Sequence, residues 1–150
     1  MPRIFTIGYE QAAQAQVIGA LKAAGVAVVL DVRAVAASRR AGFSKTILAS
    51  SLKAEGIDYI HFKALGTPKA GREAARAGRT GEMHAIFEAH MAEPQAVVAF
   101  AEAAEIAARR PAALLCYEAD AADCHRRILT ERLQAEQAFE VVDLNIPLLG

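Results

Sequence analysis

Val26-Ala27-Val28-Val29-Leu30-Asp31-Val32 is nearly all apolar and β-branched, the composition of a strand covered on both faces. Such strands belong to parallel sheets with helices above and below, so the run predicts the central strand of an α/β domain. To its N-terminal side, Ile4-Phe5-Thr6-Ile7-Gly8 is a β-type run stopped by glycine. Val17, Ile18 and Leu21 then recur at helical spacing before Gly25. To its C-terminal side, Ser44 is placed to cap a helix carrying Ile47, Leu48 and Leu52, and Gly56 ends it. Ile57 to Phe62 alternates as a third strand.

From Leu65 to Arg110 no strand signal appears. Glycines and Pro68 punctuate the segment, and helices are expected near Glu82 to Met91 and from Pro94 to Arg110, the second with an apolar face of Val97, Phe100, Ala104 and Ala108. Ala112-Ala113-Leu114-Leu115 predicts a fourth strand, a helix follows to about Gln137, and Val141-Val142-Asp143-Leu144 predicts a fifth strand. The expected fold is one three-layer, Rossmann-like domain over residues 1–150 with a mostly parallel five-stranded sheet. The expected strand order is 3-2-1-4-5, by analogy with half of a dinucleotide-binding fold. The Gly-rich dinucleotide fingerprint is absent after the first strand, so no cofactor is implied.

No apolar run approaches the roughly 18–20 residues that span a bilayer, and the N-terminal residues do not read as a signal peptide. A soluble cytoplasmic protein is expected, with no membrane partner and with its two cysteines as thiols. Formal net charge is zero, yet Asp31 to Arg79 holds ten Lys/Arg against four Asp/Glu. That excess could attract a small anionic ligand or a nucleic acid. Ordinary solvated side chains explain much of it equally well.

Reactive residue types concentrate at the ends of the predicted strands. Cys116-Tyr117-Glu118 and Cys124-His125-Arg126 flank a strand-to-helix turn, at the sheet edge where α/β folds bind ligands. Asp120 or Asp123 is expected to cap the following helix, whose dipole would favour a thiolate at Cys124. Packing of Cys124 against Ile128, and of His125 against Leu129, is the plainer alternative. Asp31 and Arg33 share one side of their strand, either as an ion pair sealing the edge or with Ser38, Arg39 and Ser44 as an oxyanion site. Arg126, disfavoured by the helix dipole, calls for a counter-anion.

Two familiar chemistries fit poorly. The acidic, glycine-free stretch after Cys116 would repel a phosphate dianion, against a cysteine phosphatase or sulfurtransferase loop. Zinc held by Cys116, Cys124 and His125 with Glu118 or Asp31 is disfavoured because adjacent Cys and His rarely share an ion. No metal is therefore assigned. The expected function is a small enzyme with Cys116, Cys124, His125 and Glu118 as catalytic candidates. Asp31, Arg33, Ser38, Arg39, Ser44 and Arg126 would receive an anionic, phosphate-bearing substrate. The alternative is a non-catalytic nucleic-acid or nucleotide-binding module in which Phe43, Tyr59 and Phe62 stack on bases.

Thr6-Ile7-Gly8-Tyr9-Glu10, Asp31-Val32-Arg33, Ser38-Arg39 with Gly42-Phe43-Ser44, Gly56-Ile57-Asp58-Tyr59, Leu65-Gly66 and the Cys116 to Arg126 motif resemble, in that order, the DUF488 family of uncharacterised small α/β proteins. Members often carry proline where this chain has Ala36, and other residues at Tyr9-Glu10. The resemblance implies that the motif residues belong together in one crevice.

Overall fold

The computed structural model describes residues 2–121 and 124–146. Its strands are β1 (Arg3–Gly8), β2 (Val28–Asp31), β3 (Asp58–His61), β4 (Ala112–Cys116) and β5 (Glu140–Leu144), all paired in parallel. The helices are α1 (Gln14–Ala23), α2 (Lys45–Ala54), α3 (Lys69–Arg76), α4 (Thr80–Met91), α5 (Pro94–Arg109) and α6 (Arg126–Glu136). Every residue of β2 and β4 is buried, as their unbroken apolar runs require.

The strand order is β3-β2-β4-β1-β5, so β1 and β4 exchange the places expected for them. Polar side chains join β1 to β5. Thr6 hydrogen-bonds Asp143 of β5, and Arg3 pairs with Glu140 of the same strand at 3.2 Å. β4 carries no polar residue and sits at the centre, between β2 and β1.

Side-chain alternation divides the core into two layers. On one face, Val17, Ile18 and Leu21 of α1 and Leu48 and Leu52 of α2 pack on Phe5, Ile7, Val29 and Leu115. On the other, Phe87 and Met91 of α4, Ala103 and Ala107 of α5, and Ile128, Leu129 and Leu133 of α6 pack on Ile4, Val28, Leu30 and Leu114. The buried stripe of α5 runs through Ala96, Ala103 and Ala107 and leaves Val97 53% exposed, a rotation from the face expected. Alanine explains it: small side chains let the helix lie close to the sheet.

α3 carries no large apolar stripe, since its buried residues are Gly71 and Ala74. A Cβ on Gly71 would stand 2.5 Å from the Thr67 side chain and 3.3 Å from Ile86 of α4, so close packing holds this helix. Ser44 does occupy the N-cap position of α2, but its hydroxyl makes no capping bond. It instead accepts from the Ser38 amide at 3.1 Å and closes the 38–44 loop.

α1 leaves β1 for one face and α6 leaves β4 for the other, although these strands are neighbours. Neighbouring strands whose helices diverge make a topological switch point, and the carboxyl ends there are Gly8 and Cys116, paired in register.

Candidate functional site

Gly8 opens this edge. A Cβ there would lie 1.7 Å from the Glu118 carbonyl oxygen, so only glycine lets the loop after β4 cross so closely. The loop is tied down by the Tyr9 amide to the Cys116 carbonyl (3.3 Å), the Glu10 amide to the Tyr117 carbonyl (2.8 Å), and the Ala119 amide to the Glu10 carboxylate (3.0 Å).

The sheet then separates the candidate residues into two groups. Asp31 is in register with Leu115, so its side chain lies on the α1/α2 face, whereas Cys116, one residue further, faces α5 and α6. On the first face Arg33 Nε and Nη2 grip both oxygens of Asp31 at 2.7–3.1 Å. Arg33 Nη1 donates to the Tyr9 hydroxyl (3.1 Å) and the Phe43 carbonyl (2.7 Å). The Tyr59 hydroxyl donates to Asp31. Burial by itself lowers the pKa of Arg33, but the hydrogen bond and charge of Asp31 outweigh it and hold the guanidinium above its ordinary value. Burial first, then the carboxylate of Asp31, pushes the Tyr59 phenol up. Asp31 and Arg33 thus form a closed ion pair whose donors are committed to protein oxygens.

Arg126 is likewise committed. It is 1% exposed, and it donates to Thr6 Oγ1 (3.2 Å) and to the carbonyls of Glu118 (2.6 Å) and Ala119 (3.5 Å), clasping the end of β1 to the loop after β4. Burial lowers its pKa, partly offset by the carboxylates of Asp143, Glu118 and Asp120. Its Nε makes no hydrogen bond among the described residues. Ser38 and Ser44 are half-buried, with hydroxyls used inside their loop, and Arg39 is exposed.

On the second face Cys116, Cys124 and His125 come together. Cys116 ends β4, Cys124 precedes α6, and His125 is the N-cap residue of that helix. No side chain caps α6 from this position. Asp123, one of the two acids expected to do so, lies outside the described residues. The sulfurs of Cys116 and Cys124 are paired directly as a disulfide where two thiols were expected, with Cα atoms 7.6 Å apart. Cys124 Sγ lies 3.4 Å from His125 Nδ1 and accepts the Arg126 amide at 3.5 Å. Cys116 Sγ lies 3.4 Å from Glu118 Oε2. One ligand atom from each of Cys116, Cys124 and His125 falls within 4.8 Å of the others, with all three residues buried.

His125 Nε2 is 2.7 Å from the Val32 carbonyl, which can only accept, so this nitrogen carries the proton. Burial lowers the imidazole pKa to about 4, with Arg126 adding to the drop and the Val32 carbonyl opposing it. The ring is therefore neutral at pH 7, with the Nδ1 lone pair directed at Cys124. Phe87 meets it edge-on, centroids 5.1 Å apart.

Thr6 and Tyr9, which the motif placed in the same crevice without a role, anchor the two arginines. Between α6 and β5, a hollow of about 290 Å³ is lined by Asp120, Arg127, Thr130, Glu131 and Asp143 among others. Its carboxylates outnumber its guanidinium, so it does not favour an anion. Phe43 and Phe62 are buried and offer no face to a base. No described helix is long and apolar enough to cross a membrane.

Compared with known proteins, residues 13–133 match the sequence family described as Domain of unknown function DUF488. No curated protein and no solved structure matches the chain.

Proposed function

The chain belongs to the DUF488 family, and from that premise we propose that it is a small enzyme whose reaction centre is Cys116, Cys124 and His125 beneath Glu118. One observation carries this reading: a neutral, fully oriented imidazole presents its Nδ1 lone pair to a buried sulfur at the switch point of the sheet. Glu118, half-buried at the rim, is the group placed to exchange protons with a substrate.

The anionic part of the substrate falls to Arg39. Arg33 and Arg126 serve the scaffold, holding the two sides of the edge in place, while Arg39 stands exposed on the loop that follows β2. The nucleic-acid alternative keeps its basic segment but loses Phe43 and Phe62 as stacking surfaces.

A turnover screen tests the reading. The purified protein is incubated with pooled phosphorylated and carboxylated metabolites and depletion is followed by mass spectrometry. The expected result is turnover that disappears in Cys124→Ser and Glu118→Gln and shows a raised KM in Arg39→Ala. Turnover that survives in both Cys116→Ser and Cys124→Ser contradicts it.

A further inference from the structure

We propose that Cys116, Cys124 and His125 are the three protein ligands of a zinc ion whose fourth position opens toward Glu118. The inference deepens the reading of this cluster as the reaction centre and rests on it for what the ion would do. The binding itself is independent of any substrate.

Four features carry it. First, the donor set is right: two thiol sulfurs and an imidazole nitrogen suit zinc in tetrahedral geometry. The three atoms lie within 4.8 Å of one another on three buried residues, supplied by the end of a strand and the start of a helix. Second, the separation of Cys124 Sγ and His125 Nδ1 is 3.4 Å. Ligands at about 2.3 Å (sulfur) and 2.0–2.1 Å (nitrogen) on a tetrahedral ion stand about 3.6 Å apart. The adjacency that counted against zinc in the sequence is thus no obstacle: the turn into α6 brings both side chains to the same side.

Third, the outer contacts are those of a metal ligand. The Nε2 proton of His125 is fixed on the Val32 carbonyl, which leaves Nδ1 as the free donor atom. The Arg126 amide points at Cys124 Sγ and favours a thiolate there. Fourth, the Cα atoms of Cys116 and Cys124 are 7.6 Å apart. Most disulfides span about 4.4–6.8 Å between Cα atoms, whereas an ion between the sulfurs fits a wider spacing. In a disulfide Cys124 has no proton to give, and the buried Nδ1 would face a sulfur without a donor; a cation there satisfies it.

Zinc and the disulfide are alternative states. Binding requires the dithiol, which forms when a two-electron reductant such as a low-molecular-weight dithiol takes over the disulfide and leaves one proton on each sulfur; the incoming ion then displaces those two protons to solvent. Three protein ligands with an open fourth position is the arrangement of catalytic rather than structural zinc, and Glu118 is placed to take a proton from water bound there.

Cobalt(II) is the probe. The full chain is reduced, stripped with a chelator and titrated with cobalt(II) under anaerobic conditions, then with zinc. The expected result is saturation at one ion per chain, a strong visible band of four-coordinate cobalt, near-ultraviolet thiolate-to-cobalt absorption, and loss of both on adding zinc. Cys116→Ser and Cys124→Ser should weaken the thiolate absorption. Reduced wild-type protein that shows no thiolate absorption overturns the proposal without recourse to any variant, as does absorption unchanged in both variants. Because no substrate is involved, a failed titration leaves the turnover screen to judge the reaction centre separately.

Discussion

His125 is held between two demands: Nε2 must keep its proton for the Val32 carbonyl, and burial forbids a second proton on Nδ1. The folded pKa of about 4 lies below the ordinary imidazole value of 6.5. As pH falls below 6.5 the unfolded chain takes up a proton that the folded chain refuses, so stability declines until pH reaches about 4 and then levels. The full effect is roughly 3 kcal/mol at 1.36 kcal/mol per unit. For metal-free protein with the Cys116–Cys124 disulfide intact, urea unfolding between these limits should show a steeper fall in wild type than in His125→Gln. Parallel pH profiles would remove the buried, neutral imidazole from the account.

At the scale of elements, the crossing of the loop after β4 over Gly8 decides the site's geometry. Gly8→Ala places a Cβ against the Glu118 carbonyl, so the loop must lift. A cost of roughly 1–3 kcal/mol is expected, as for overpacking in general. Cys116 and Glu118 move with the loop, so the variant should also bind cobalt(II) more weakly. Wild-type stability and an unchanged cobalt spectrum would show that the close approach does not matter. The elements themselves were largely legible. β2 announces itself because both its faces are covered, and α1, α2 and α4 because their apolar residues recur at helical spacing. α3 was not legible because its buried face is Gly71 and Ala74, residues that leave no stripe in a sequence. The order of β1 and β4 was missed because both are apolar runs; only the partners of Thr6 and Arg3 across β5 distinguish them.

Across the whole molecule, the sheet acts as a partition. Residue types concentrated at strand ends identified the edge, but not the two faces, because strand register is a tertiary property. The register of Asp31 with Leu115 puts the Asp31–Arg33–Tyr9–Tyr59 network on one side and the Cys116–Cys124–His125 cluster on the other. The first network and the Arg126 clasp brace the edge, and the second carries the chemistry proposed for the protein. X-ray absorption at the zinc edge of the reduced, zinc-loaded chain tests this division most directly. The expected spectrum has two sulfur neighbours at about 2.3 Å and at least one nitrogen at about 2.0–2.1 Å. A first shell of nitrogen and oxygen alone would contradict it.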